Sequence, residues 1–380
     1  MRKRKRFMRG IKYFVLALLV ITLLPSVVGL ARAVVVCRMW ETPAANDLGS
    51  STTNAEIQQV TQNIPDYVRA EDATYLTLPE WYVVYSTDEY AAFIADNPPS
   101  QFPYFQAVGQ FWESWYDVCG VTHGRYPLNG GYQFALVVIG LNFTTENLIR
   151  GAYEFTVGRF TEWLSTGELT EEDAYARRVA KDYGDFIHMI PWYDFPFGEK
   201  LRGLWTKTSL WGPNPVRKWE RKLVLSMDYG VKGFYAWIIR RGADLVYGGP
   251  DDTKIYGVVE GVNDEMLAGE SEIKLVQKIN DQQDLVTLTR FEVFTQIVPG
   301  LTQNGLRFVE IAGNDEILFT IFAPKSEAYS FDYADYLFDL PILTQAELTR
   351  VAVKVRVTDL HLFLQELADK DLRLEHIYDY

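Results

Sequence analysis

Histidine and cysteine are scarce in this chain, with four and two among 380 residues. No phosphate-binding loop, dinucleotide fingerprint, nucleophile elbow, His-Glu-x-x-His helix or EF-hand loop occurs, so no familiar motif names a reaction. Two cysteines exclude a disulfide-dense scaffold, although Cys37 and Cys119 are free to pair in an oxidising compartment. Acidic residues are missing from the first 38 positions, which carry nine Lys and Arg, while the remainder holds 28 basic against 50 acidic residues. A body that acidic repels phosphate backbones, which excludes nucleic acid as a partner. Long apolar runs are absent beyond the N-terminus, so a multi-span membrane protein is excluded, and 48% hydrophobic residues exclude a disordered chain.

Aromatic residues are abundant: 10 Trp, 23 Tyr and 22 Phe. They supply large buried areas with polar tips and suit cores, interfaces and membrane boundaries alike.

The N-terminus carries the most specific signal. Seven basic residues in "MRKRKRFMRGIK" precede "YFVLALLVITLLPSVVGLA", 19 residues without a charge. That length crosses a bilayer core, and the basic flank orients it with the N-terminus in the cytoplasm. The alternative is a cleaved signal peptide, with Ala31–Ala33 as the cleavage site. Either way the body is expected outside the cytoplasm, in the periplasm if the source is bacterial.

The pattern divides the chain into a basic cytoplasmic segment (1–12), a signal anchor or transmembrane helix (13–36), a flexible tether (37–76), a mainly helical domain (77–249) and a C-terminal domain (250–380). In the helical part, Pro79 is expected at a first helical position and Ser86 to Glu89 has capping-box spacing. Tyr104, Val108, Phe111, Trp112 and Trp115 recur at helical period. A long helix after Asn214 is expected to break near Gly230. "GYQFALVVIGLNFTTENLIRGAYEF" (131–155) has only eight continuous apolar residues, too few to cross a membrane, and predicts a core helix with a Glu146–Arg150–Glu154 ladder on one side.

Beyond residue 250 the period changes to two. "LVTLTRF" and "VAVKVRV" predict strands, "FEVFTQIV" a helix, and "LRFVEIAGNDEILFTIFAP" a hairpin turning at Gly313-Asn314-Asp315. A helix capped by Thr358 and a terminal strand follow, with an extra hairpin over 254–280. The fold class expected is α+β: an N-terminal transmembrane helix, a helical middle, and a ferredoxin-like α/β sandwich at the C-terminus. That fold hosts many functions and names none.

Two groups of residues carry candidate functions. Cys119 with His123, and Asp185 with His188, together offer the S, N, O and N ligands of a tetrahedral zinc site. Residues 198–241 reverse the local charge to +7, and Arg217, Lys218, Trp219, Arg221, Lys222 and Trp237 have the composition of a segment lying on anionic lipid headgroups. The same cations would otherwise pair with acidic parts of the fold. The function expected is a membrane-tethered extracytoplasmic module that binds or organises a partner in the cell envelope, non-catalytic and without a cofactor. Its partners are the membrane, through 13–36, and an envelope protein or anionic lipid. The alternative is a zinc-dependent envelope enzyme using Cys119, His123, Asp185 and His188.

Overall fold

The computed structural model describes residues 24–38, 55–65, 67–165, 167–246, 253–325 and 328–380. The basic segment, the first part of the apolar run and residues 39–54 of the expected tether lie outside the described residues. The protein is α+β, with helices followed by two antiparallel sheets.

The strand VAVKVRV alternates apolar and polar residues, which read alone describes a sheet with one wet face. In the structure this strand, β7 (Leu348–Arg356), is covered on both sides. Its Val351, Val353 and Val355 enter a core shared with the other sheet, and Ala352 enters a core made largely of helices. The polar positions beside them, Arg350 and Lys354, are closed off by ion pairs to Glu375, Glu89 and Glu316.

The first sheet has β1 (Lys254–Glu260), β2 (Ile273–Lys278), β3 (Gln283–Thr289) and β4 (Arg307–Ile311) in the order β2-β3-β1-β4. The second has β5 (Glu316–Pro324), β6 (Ala334–Pro341), β7 and β8 (Arg373–Tyr378) in the order β6-β7-β5-β8. Helix α11 (Glu292–Gln303) joins β3 to β4, and α12 (Leu360–Asp369) joins β7 to β8. The second sheet thus repeats the connectivity of the first. A short helix α10 (Asp264–Gly269) lies between β1 and β2.

A ferredoxin-like sandwich would have placed these strands in one sheet, and that expectation is corrected. The chain does reverse at Gly313, where φ is +76°, but β4 pairs with β1 while β5 pairs with β7 and β8. The expected hairpin is therefore a crossing between sheets. Likewise β1 and β2 are separated by β3, so 254–280 is no hairpin. The first departure has a cause in β5, where Ile317, Leu318, Phe319, Thr320 and Ile321 are all buried, and a strand apolar on both faces seeks a central position. Thr358 does not cap α12, which instead follows a 3-10 turn, Val357–Asp359.

Helices α3 (Ala73–Asp96) and α4 (Tyr104–Thr122) pack on the second sheet, burying Tyr82, Phe111, Trp112 and Trp115 against Leu318, Leu340, Ala352 and Tyr378. Pro79 and Ser86 both lie inside α3, which begins at Ala73, so neither starts a helix. Helix α5 (Gly130–Tyr153) continues through a π-helical turn, Glu154–Gly158, into α6 (Arg159–Leu164). Helices α7 (Glu171–Ile187), α8 (Phe197–Thr206) and α9 (Pro215–Val246) complete this half. Helix α9 runs unbroken past Gly230, contrary to the expected interruption.

Two N-terminal pieces are docked on the body. A helix over residues 24–36, α1, ends at Cys37, whose disulfide with Cys119 ties it to α4. Ala33, in the expected cleavage site, is fully buried in this helix. Helix α2 (Ala55–Thr61) and Tyr67 cover the first sheet, with Ile57 and Tyr67 packed on Val258 and Leu285. These described residues of the expected tether are therefore part of the fold. Among the described residues no helix is long and apolar enough to cross a membrane.

Candidate functional site

Helices α3 and α5 run side by side in one direction: Thr77 meets the Tyr132 hydroxyl at 3.0 Å, and Arg150 lies 4.0 Å over the Tyr90 ring. Helix α7 runs back along α3, with the Arg177 guanidinium donating to the Ala95 carbonyl and His188 meeting Asp88. Helix α9 crosses above, antiparallel to α5, held by Arg221 on Glu154 at 2.8 Å and Lys232 on Glu146 at 2.6 Å. Between these helices lies a cleft of about 2450 Å³, its lining running along α5 from Tyr132 to Tyr153 and along α9 from Arg217 to Ile238. Its apolar walls include Val83 and Val84 of α3, Ala135 and Ile139 of α5, and Phe234 and Ile238 of α9. Phe234, on this wall, is 64% exposed.

One end of the cleft carries the ion pairs of Glu154 with Arg221 and Glu162 with Arg217, and part-way along it Lys232 joins Glu146 and Asp228, with the Tyr183 ring 5.8 Å from its ammonium. The other end carries Glu80, whose carboxylate accepts from Tyr132 at 2.9 Å. Glu80 is exposed where it lines the cleft, and desolvation by the protein packed around it raises its pKa.

The wall beside Glu80 holds the strained residue Phe291, at φ 62° and ψ −134°, where a bulky side chain is disfavoured. Asp379 holds it there by accepting from the Phe291 amide at 3.2 Å and from Arg290 at 2.9 Å. The next residue, Glu292, belongs to a polar cluster at the edge of the cleft. His188 meets Asp88 through Nε2 at 2.5 Å and Glu292 through Nδ1 at 3.4 Å. His376, fully buried, lies tilted against Trp81 with ring centres 3.7 Å apart, and its Nδ1 pairs with Thr295 at 3.0 Å. Burial alone would lower the His188 pKa, but the hydrogen bonds to Asp88 and Glu292 carry it up to about 10. Burial likewise opposes, and the His188 and His376 hydrogen bonds overcome, so that Glu292 falls to about 2. An imidazolium held by two carboxylates joins α3, α7 and α11 and has no free nitrogen with which to accept a proton.

The residues singled out in the sequence are placed differently from that expectation. Cys119 is in a disulfide and offers no thiolate, and Asp185 pairs with Lys181 at 2.6 Å. His123 closes the end of α4 and His188 sits in the cluster above, so the four do not share a zinc site. Among the described residues no group of three or more His, Cys, Asp and Glu is arranged to hold a metal ion.

Of the expected membrane-contact set, Arg217, Lys218, Arg221 and Lys222 are at most 2% exposed. They form an internal ion-pair layer: Arg217 with Asp173 at 2.8 Å, Lys218 and Lys222 with Glu172 at 3.0 and 2.9 Å, and Arg221 with Glu154. These residues do not face lipid: isolated buried cations cost several kcal/mol each, and the acids of α7 and of the π-helical turn after α5 neutralise them. Trp219 is half-buried beside Trp205 and Trp211, while Trp237 is exposed. The ladder expected along α5 is likewise spent between helices, on Lys232, Tyr90 and Arg221.

Asp88, Glu292, His376 and Phe291 carried no signal in the sequence, since each becomes special only through partners a hundred or so positions away. Compared with known protein families, characterised proteins and solved structures, the chain matches none.

Proposed function

We propose that this is a membrane-tethered, extracytoplasmic, non-catalytic binding module that takes an elongated amphipathic molecule, about one acyl chain in length, into the cleft. The observation that carries the reading is the cleft itself, apolar along its walls and polar at both ends. At about 2450 Å³ it exceeds the 300–1,000 Å³ typical of drug-sized ligands. Within it, the stretch from Tyr132 to Glu146 covers about 21 Å along α5, longer than the roughly 15 Å of one bilayer leaflet's hydrocarbon. Each buried methylene contributes about 0.8 kcal/mol, so a full chain supports tight binding without any reaction. The basic start followed by an uncharged run supports an N-terminal anchor with the body outside the cytoplasm. The Cys37–Cys119 disulfide agrees with an oxidising compartment.

The test is binding of a fluorescent palmitate to the full chain held in amphipol. Saturable binding is expected, weakened about 10-fold or more in Phe234→Asp, because a wall aromatic contributes about 1.5–3 kcal/mol when covered. Absence of saturable binding, or equal affinity in the variant, would remove this reading.

A further inference from the structure

The anchor is short of free length. A bilayer core takes about 20 helical residues, and the uncharged run Tyr13–Ala31 has 19. Residues 24–31, however, belong to α1, where Ser26 and Gly29 are buried and the Trp112 ring closes on Gly29 so tightly that a Cβ there would lie 2.5 Å from it. Residues 13–23 alone reach about 16 Å as a helix, about half the core. If the run crosses the bilayer, the membrane must rise alongside α1, and the neighbouring body surface must suit lipid.

That surface can be located. Helix α1 runs parallel to α4, since Gly29 meets Trp112 and Cys37 bonds Cys119. Helix α4 runs antiparallel to α5, since the Trp112 indole donates to Thr144 and Tyr104 packs on Gly151. The N-terminal end of α1 therefore points the same way as the α5–α6 end. Leu24, Val27 and Val28 of α1 are each more than half exposed. On the α5–α6 end Phe155, Phe160 and Trp163 are 58, 57 and 73% exposed, and Trp211, in the loop before α9, is 74% exposed.

The carboxylates of the same segment face inward, Glu154 and Glu162 being turned to Arg221 and Arg217, while Thr156 and Arg159 are exposed, Arg159 lying 5.5 Å over the Phe155 ring. A helix end with its carboxylates inside and its aromatics outside is inverted relative to one that faces water. We infer that the α5–α6 end is a second membrane contact, seated in the leaflet beside the anchor, with lipid hydrocarbon and interface as its occupant. This rests on the anchored reading of the N-terminus. The contact is mainly aromatic, with Arg159 placed to reach a lipid phosphate, and it does not depend on net anionic lipid, which suits a body bearing a net −22 beyond residue 38.

The test uses lone thiols, because both native cysteines are in the disulfide. Leu18→Cys, Trp163→Cys and Val276→Cys variants of the full chain are reconstituted in phosphatidylcholine vesicles and labelled with a membrane-impermeant maleimide. Val276, 47% exposed on strand β2, is the aqueous reference. Positions 18 and 163 are expected to label at least about 10-fold more slowly, since apolar surroundings suppress the thiolate. Protection at 18 with labelling at 163 at the reference rate would overturn this contact and leave the anchor standing. Labelling of all three at one rate would overturn the anchor itself.

Discussion

Replacing His188 by Gln tests whether the cluster at the edge of the cleft binds α3, α7 and α11 together as an ion pair. The pKa of His188 rises from 6.5 in the unfolded chain to about 10 in the fold, because Asp88 and Glu292 hold its charged form. A raised pKa means stability that is fully present below pH 6.5 and lost as pH climbs through 10. Glu292 contributes in the opposite sense: its pKa falls from 4.5 to about 2, so its share is present above pH 4.5 and lost as pH falls through 2. The side chains of His188 and Glu292 are 24% and 19% exposed, and allowing for solvent screening the coupling comes to about 2–3 kcal/mol.

His188→Gln keeps the polar volume and removes the charge. In chemical denaturation of the full chain in mild detergent, the variant should be less stable than the parent by about 2–3 kcal/mol near pH 7. The difference should shrink towards zero above pH 10. Subtracting the two curves cancels the tyrosines and lysines that titrate in the same alkaline range. A difference that stays constant from pH 7 to 10.5 would refute the ion-pair account and leave His188 as a packing residue.

Arg350 is 2% exposed, paired with Glu375 at 2.6 Å and Glu89 at 3.3 Å, and lies 4.1 Å over the Tyr85 ring. Arg350→Met should cost about 3–5 kcal/mol in denaturation midpoints, by stranding two buried carboxylates. Adding Glu375→Gln should recover part of that loss, and no recovery would refute the pairing. Reduction of Cys37–Cys119, which closes a separation of 82 residues, should lower stability by about 2–4 kcal/mol. A thermal melt unchanged by reductant would show that α1 is held by packing alone.

Periods and compositions were legible in the sequence wherever a feature depended on near neighbours. The five apolar positions of α4 read at period 3.6 are all buried, and β3, β7, α11 and β8 lie where alternation and helical spacing put them. Where the chain's partners are distant, the reading failed for identifiable reasons. Arg217, Lys218, Arg221 and Lys222 look like a basic lipid-facing stripe until the carboxylates of Glu154, Glu172 and Asp173 are brought to them across helices. Cys119 looks available for metal until α1 places Cys37 against it. The Gly313-Asn314-Asp315 turn is real, but turn chemistry fixes only the reversal of the chain and not which sheet each arm joins.

The sequence alone determined the α+β class, the acidic body and the uncharged run after a basic start, because composition, charge and periodicity are local sums. Only the tertiary structure decided which charges are buried, which alternating strands are covered twice, and where the helices part to leave a cleft. Burial is a property of what lies on the other side of a residue, and for Asp88, His188, Glu292 and His376 that neighbour is supplied by α3, α7, α11 and β8 meeting in space.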